Sequence, residues 1–435
     1  MNTLKLFKRT LLGSVFVLGL SAHAEAGPLL DQITDLMATH ERIRAAEADV
    51  AQARSNLEVS KGDYFPTLST TALWGSEKIA TRNKGSTQTE TSMMAKEVDL
   101  TLTQKVFDFG VTDAAVNSSK LTVDQTLATL EQTRQALLLE ALSAQLNLAS
   151  AKRVLDHQES SESSIKRQTE LEDARVQRGS GFSTDVLQAK TQLAGAQAAR
   201  VRAQGALKQA FNRYRAVFGF IPDSVDDLEI PNLAGLSLPQ TEGEIVDLAL
   251  KNNPQVLVQA IAADIADADV SSSFASGYRP AVEAIAETKK KKDVSGTAGN
   301  KTEHMLKLEA TFDFNFGWTA SNTLQAAKHG HSAAASRLKD TRDTIEEQAR
   351  NAWQALETAI DNADFLRNQA NIAGEFLELA RKERTLGQRS LIDVLSGETA
   401  HINALAAADR AETDVAIAKL TLMNVMGHLD TSVIQ

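Results

Sequence analysis

Cysteine is absent from the 435 residues. In an oxidising compartment this excludes a disulfide framework. It also excludes a lipid-modified N-terminal cysteine, so no lipid anchor is expected. Proline is scarce and clustered, at Pro28, Pro66, Pro222, Pro231, Pro239, Pro254 and Pro280. None falls between 67 and 221 or after 280. Proline interrupts helix interiors, so two long segments rich in Ala, Leu, Gln, Glu, Lys and Arg are free to be helical. Long hydrophobic runs are missing too. Charged residues make up 23% of the chain and the mean hydropathy is −0.23, which excludes a bundle of membrane-spanning helices. There is no Gly-rich phosphate loop, Ser/His/Asp arrangement or Cys/His cluster. His329 and His331 are two apart and do not share a helix face. No enzyme, cofactor or metal site is expected.

What is present begins with Lys5, Lys8 and Arg9, an apolar run from Leu11 to Leu20, and small residues at Ala22, Ala24 and Ala26. This reads as a secretory signal peptide over 1–24, cut after Ala24 or Ala26. The run is far short of the ~20 residues that a spanning helix needs. Its removal takes three positive charges and no acids, moving the net charge from −10 to −13. An acidic exported chain is not expected to bind nucleic acid.

One stretch occurs twice. Gly179-Ser-Gly181-Phe-Ser-Thr184-Asp185-Val-Leu187 returns as Gly387-Gln-Arg389-Ser-Leu-Ile-Asp393-Val-Leu395 at an offset of 208, and the match continues without a gap to Gly219 and Gly427. Each copy reads as a turn followed by a helix start. The flanking order repeats as well. Residues 30–62 read as a helix ended by Tyr64-Phe65-Pro66, and 243–277 as a helix ended by Tyr278-Arg279-Pro280. Alternating strands are expected at 67–75 and 96–109, and again at 281–287 and 304–316. Polar loops over 76–91 and 288–300 separate them. Lys289 to Lys292 fall in the second loop; they read as solvated, with contact to surface-lipid phosphates as the alternative. Phe107-Asp-Phe-Gly110 and Phe314-Asn-Phe-Gly317 close the strand units. Long helices follow over 112–177 and 319–384, each about 100 Å at ~1.5 Å per residue. The two repeats thus span 25–218 and 243–427, joined by a linker over 219–242 and followed by a tail over 428–435. Each is helix, strand, loop, strand, very long helix, turn, helix.

This plan makes physical demands. Strands of this length with one apolar face suit a membrane barrel, which needs ~9–11 tilted residues per strand. Four strands cannot close a barrel, and open edges are not tolerated in lipid. A membrane reading therefore requires several chains to share one barrel. Phe107, Phe109, Phe314, Phe316 and Trp318 sit at corresponding strand ends, where an interfacial aromatic girdle belongs. A soluble hairpin capping a coiled coil is the plainer alternative. The ~100 Å helices also need partners, within the chain and between chains.

Together these features resemble the TolC family of trimeric outer-membrane channel proteins, over nearly the whole mature chain. The resemblance rests on the duplicated order of elements, the Phe-Asp-Phe-Gly110 and Phe-Asn-Phe-Gly317 strand ends, and the two Gly…Asp-Val-Leu turns. It implies a mainly α protein with a β-barrel: a homotrimer whose three chains build a 12-stranded outer-membrane barrel on a long periplasmic α-barrel, with the linker in a belt around its middle. It implies contact with outer-membrane lipid, a periplasmic adaptor, and an inner-membrane ABC or other export pump.

The resemblance also places the repeated turns at the periplasmic tip. Thr184 and Asp185 match the family's gate-linking pair, and Arg389 an arginine that bonds to that pair. Asp393 matches an acid ringing the pore constriction. Gly179, Gly181 and Gly387 mark the tip turns where adaptors dock. Arg384 stands where well-known members carry a gate tyrosine, and Ser396 where they carry a second constriction acid; both departures bear on whether the constriction binds cations. Each residue has a plainer reading. Ser390…Asp393 fits a capping box, Asp185 a first-turn acid, and Arg389 a solvated charge that is also placed to pair with Asp393. The function expected is a passive exit duct, foremost for type I protein secretion, with multidrug or small-molecule efflux as the alternative. A periplasmic adaptor or structural coiled coil is the reading from a different class.

Overall fold

The computed structural model describes residues 29–81, 89–180, 182–222, 224–225, 228, 230–231, 238–313 and 316–434. The expected signal peptide, Gly181, part of the linker, and Phe314 with Asn315 lie outside the described residues. In chain order the elements are α1 (Leu29–Thr39), α2 (Glu41–Gly62), β1 (Thr67–Thr81), β2 (Thr89–Phe107), α3 (Val111–Gln177) and α4 (Ser183–Phe218). The second half holds α5 (Glu242–Asn252), α6 (Pro254–Tyr278), β3 (Ala281–Lys292), β4 (Asn300–Thr311), α7 (Thr319–Thr385) and α8 (Leu391–Val425). A short 3-10 turn over Thr431–Ile434 ends the chain.

The two long helices are 67 residues each, about 100 Å at 1.5 Å per residue. A helix that long has no single globular core to lie on, and its buried positions form narrow seams. On α7 they fall at Ala349, Leu356, Ala363, Ala370 and Leu377; on α6 at Ile261, Ala268 and Ala275; on α4 at Ala189, Ala196 and Ala203. A strict seven-residue spacing is the mark of helices wound about one another. Alanine at most of these positions lets the helix axes approach closely. Large side chains collect at two places instead. One cluster joins α1, α3, α4 and the tail through Ile33, Leu137, Leu142, Tyr214 and Leu429. The other joins α5, α7 and α8 through Ile245, Ile345, Leu422 and Met426. The short helices α1 and α5 are thus what thickens the helical wall part-way along it.

Two expectations need correction here. A single helix was expected over 30–62 and another over 243–277, and each is a pair. At the first break His40 is extended, and its Nδ1 accepts from Arg42 N at 3.1 Å, restarting the helix as α2. At the second, Asn253 is extended, its side chain accepts from Gln255 N at 2.8 Å, and Pro254 begins α6. Proline suits a first helical position because its missing N–H is not needed there. Asn253 also donates to Val425 O at 2.8 Å, tying the break to the end of α8.

The four strands make one antiparallel sheet in the order β1-β2-β3-β4, and the β2–β3 ladder joins the two repeats. β1, β2 and β3 are longer than the expected strands, and β4 is shifted, running over Asn300–Thr311 in place of 304–316. β1 and β2 consume most of the polar stretch 76–91, and β3 continues through Lys292, so that Lys289 to Lys292 lie in a strand and not in a loop. β4 begins at Asn300 and ends at Thr311. The polar composition suggested a loop, but alternate residues of a strand face opposite sides. Here one side is lined by Ser69, Thr71, Asp99, Thr101, Glu287 and Lys289, and the other by Leu68, Val98, Leu100, Leu102, Ala286, Leu306 and Leu308. Leu306 is 83% exposed, Leu308 70% and Leu68 68%; among the described residues no element covers this face. Among the described residues no helix is long and apolar enough to cross a membrane.

The motif after β2 turns strand into helix. Asp108 accepts from Gly110 N at 3.2 Å, Thr112 N at 2.9 Å and Thr112 Oγ1 at 2.5 Å. Burial works to raise the Asp108 carboxyl, and the bonds from Thr112 and Gly110 outweigh it and hold it below the ordinary range. Phe107, Phe316 and Trp318 stand exposed at the same end of the sheet, with Phe65 beside them in sequence order before β1.

Two outcomes follow for stability. Gly427 has φ +71, and a Cβ there would lie 2.4 Å from Asn252 O. Gly387 has φ +78 with nothing within 4 Å. Gly387→Ala is therefore expected to cost about 1–2 kcal/mol, the conformational penalty alone, and Gly427→Ala distinctly more, in denaturant titrations of the helical signal. Tyr214 is fully buried, and burial pushes its hydroxyl up to about 12. Its raised value stabilises the fold fully below pH 10 and loses that effect as pH rises toward 12. The same titrations in Tyr214→Phe are expected to show a shallower fall across that window than in the wild type.

Candidate functional site

The two repeated turns sit at the end of the helices remote from the sheet, and their backbones are built alike. In the first, Gly179 N donates to Val176 O at 2.9 Å and Ser180 N to Arg175 O at 3.0 Å. In the second, Gly387 N donates to Arg384 O at 3.0 Å and Gln388 N to Glu383 O at 2.9 Å. Each is a Schellman ending, which requires a left-handed residue after the helix. Gly179 (φ +77) and Gly387 (φ +78) supply it. The helix starts differ. Ser390 caps α8, its Oγ accepting from Asp393 N at 3.2 Å. Phe182 precedes α4 and provides no side-chain cap, which leaves Asp185 as a first-turn acid facing the positive helix end.

The side chains around the turns differ further. Arg384 donates through Nη2 to Glu172 Oε2 at 3.0 Å and through Nη1 to Arg389 O at 3.2 Å. It thereby ties α3 to α7 and to the turn that follows α7. Glu172 is buried, with 6% of its side chain exposed, and Arg175 reaches the same oxygen at 3.4 Å. Arg389 donates to Glu383 Oε2 at 2.6 Å and lies over the Phe376 ring, 5.2 Å from its centroid. The geometry does not unite Arg389 with Asp393, nor with Thr184 and Asp185 of the same chain. The Asp393 carboxylate and Ser396 are exposed and, among the described residues, Asp393 has no ion-pair partner. Glu383, fixed across the turn, is the nearer acid and takes the guanidinium instead.

Glu172 is the residue that sequence reasoning missed. At the offset of 208 its counterpart is Ala380, and the counterpart of Arg384 is Val176. The bridge has no echo in the other repeat, so the internal match that marks the turns hides it. Below it, Ile165 of α3 and Ala189 of α4 pack with Leu391 and Leu395 of α8. Arg381 pairs with the buried Glu398. On the outside, Leu171 and Leu379, which are repeat counterparts, are both exposed, as are Phe182 and Leu386. The exposed Glu378 carboxyl is held below its ordinary range by Lys382, 2.6 Å away.

A family model described as outer membrane efflux protein matches residues 33–219 and 245–428, the two repeats in turn. The chain belongs to this outer membrane efflux protein family. The family is one of channels and transport proteins, not of enzymes, and its members lie in the outer membrane with a large periplasmic helical barrel. Outer membrane efflux protein BepC of Brucella suis is 25% identical over 390 residues, covering 89% of this chain and 82% of that one. Alkaline protease secretion protein AprF of Pseudomonas aeruginosa is 25% identical over 346 residues, 76% of this chain and 69% of that one. Among solved structures, outer membrane protein VceC of Vibrio cholerae superposes with a TM-score of 0.77 at 18% identity, over 92% of this chain and 96% of that one. The fold is the TolC-like one, with a helical periplasmic barrel and a β-barrel.

Removing one partner of a buried ion pair is expected to cost about 3 kcal/mol. Arg384→Ala leaves the Glu172 carboxylate buried with only the longer contact from Arg175. Amide exchange over residues 170–178 and 384–392 is expected to rise by about 100-fold. Glu172→Gln, which keeps an acceptor in place, is expected to raise it less. Equal protection in all three proteins would show that the bridge does not hold the hairpins together.

Proposed function

We propose that three copies of this chain form an exit duct that takes substrate from an inner-membrane pump and a periplasmic adaptor to the outside, and that its cargo is protein delivered by type I secretion. One observation carries the duct: a four-stranded sheet with an uncovered apolar face and two unpaired edges, β1 and β4, joined to helices about 100 Å long. Edges of that kind persist in hydrocarbon only when paired. Pairing β1 of one chain with β4 of the next closes a ring, and three chains give twelve strands. The name of the AprF relative, a protease secretion protein, supports protein as cargo. The second reading, efflux of small molecules, is favoured by the name of the BepC relative and by the family's description.

In this duct the turns are the periplasmic entrance. Asp393 forms a single ring of acids there, because Ser396 supplies no second one. Arg389 and the Arg384–Glu172 bridge hold the second hairpin closed, with Arg384 in the place of the family's gate tyrosine. Thr184 and Asp185 face a neighbouring chain. Gly179 and Gly387, with the exposed Leu171, Phe182, Leu379 and Leu386 around them, offer the surface on which an adaptor docks.

Fractionation tests the assembly. The expected product is a heat-modifiable trimer that needs detergent for extraction from the outer membrane; a soluble periplasmic monomer would refute the duct. Single-channel recording in planar bilayers tests the entrance. Arg384→Ala and Arg389→Ala are expected to raise conductance severalfold, and Asp393→Ala to lower cation selectivity. Unchanged conductance and selectivity in all three would remove these residues from the gate. Copurification with its pump and adaptor separates the two cargo readings: an ABC exporter encoded beside a secreted protein supports secretion, and a multidrug pump supports efflux.

A further inference from the structure

Strand β3 carries four consecutive lysines, and the pleat divides them into two pairs with different surroundings. Lys289 and Lys291 stand on the polar side of the sheet. Lys289 Nζ is 2.6 Å from Glu287, and Lys291 Nζ is 2.9 Å from Glu303 and 3.7 Å from Glu97. Lys290 and Lys292 stand on the apolar side, exposed, and neither has an ion-pair partner among the described residues. Lys96 of β2 lies directly across from Lys292, on the same side, and is likewise exposed and unpaired. Side chains directly across an antiparallel pair are about 5 Å apart, and like charges so placed destabilise the pair. The polar side of the same strand shows the usual remedy, an acid beside each lysine. The apolar side lacks it.

The position of this basic row matters as much as its charge. Toward the helices the same face turns apolar: Val98 lies across from Lys290, then come Leu100 with Thr288 and His304 across from it, and then Leu102, Ala286 and Leu306. Val282 to Lys290 is a stretch of nine residues, and a tilted barrel strand crosses the apolar band in ~9–11 residues. The row therefore begins where the hydrocarbon band ends, on the rim away from the periplasmic helices. Trp74, across from Lys96 and 75% exposed, marks the same level, as aromatic girdles do. Thr302 and Asn300 are the cross-strand partners of Lys290 and Lys292 and add polar groups beside them.

We infer that Lys96, Lys290 and Lys292 form a binding site for the phosphates of lipid A, the membrane anchor of lipopolysaccharide in the outer leaflet. Three features select this ligand. The row is cationic without internal neutralisation. It borders the lipid-facing surface at headgroup height. It lies on the outer rim, where lipid A and not anionic phospholipid forms the leaflet. Lysine binds phosphate as a point charge, and each basic side chain at a charged membrane surface strengthens binding several-fold. The site rests on the outer-membrane location of the chain and is independent of what the duct carries.

The test uses the full-length protein in its purified oligomeric state. Native mass spectrometry with added diphosphoryl lipid A, dephosphorylated lipid A or phosphatidylglycerol reads which lipid is retained. The wild type is expected to hold diphosphoryl lipid A at least tenfold more tightly than either of the others. The triple variant Lys96→Gln, Lys290→Gln, Lys292→Gln is expected to lose that preference, and the triple arginine variant to keep it. If the triple glutamine variant fails to give the heat-modifiable oligomer, Lys290→Gln alone is read, with a loss of two- to fivefold expected. Equal retention of diphosphoryl lipid A by the glutamine variant and wild type would overturn the site. So would a wild type that holds dephosphorylated lipid A or phosphatidylglycerol as tightly as the phosphorylated form.

Discussion

The unpaired backbone groups along the outer edges of β1 and β4 govern this structure. In water such edges cost little; in hydrocarbon each unsatisfied N–H or C=O costs several kcal/mol. The uncovered row of Leu68, Leu100, Leu102, Leu306 and Leu308 places the sheet in hydrocarbon. A single chain therefore has a sheet too apolar for water and too open for lipid. Only closure with other copies resolves the conflict. The duplicated order of elements follows from the same need, since each repeat contributes one hairpin and one long helix pair, and β2–β3 pairing makes the two hairpins continuous.

Below the sheet the constraint is different but related. Helices of 67 residues are arranged as a wall around space, not as a bundle around a core. A wall one helix thick buries little per residue. The alanine seams at seven-residue spacing accept this by bringing axes close and gaining packing over length. The two large-side-chain clusters, where α1 and α5 are added, are the exceptions. At the tip a few charged bonds join the hairpins beside the apolar contacts of Ile165, Ala189, Leu391 and Leu395.

Much of this was legible in the chain, for identifiable reasons. Proline placement and the 208-residue offset revealed the long helices and the turns, because a Schellman ending needs a left-handed residue and glycine serves it in both repeats. The breaks at His40 and Asn253 were not legible. His40 is not a strong boundary signal, and the apolar periodicity on both sides of Pro254 runs through it. Strand length was underestimated, since a barrel wall alternates polar and apolar residues and the polar ones mimic a loop; the lysine run in β3 is the clearest case. In the candidate site, Ser390 was recognisable as a cap from its spacing to Asp393. The Arg384–Glu172 bridge was not, because its partners are 212 residues apart and neither is repeated.

That asymmetry has a consequence for motion. Six hairpins would surround the entrance of a three-chain assembly, and their turns share one backbone design. Yet the guanidinium bridge stands only where α3 and α7 of one chain meet; the counterpart boundary, between α7 and the next chain's α3, would offer Ala380 and Val176 in the same places. The ring thus has six-fold geometry and three-fold chemistry. Cutting the bridges would loosen alternate boundaries between hairpins and leave the others unchanged, so that the aperture widens as a triangle before it can widen as a circle.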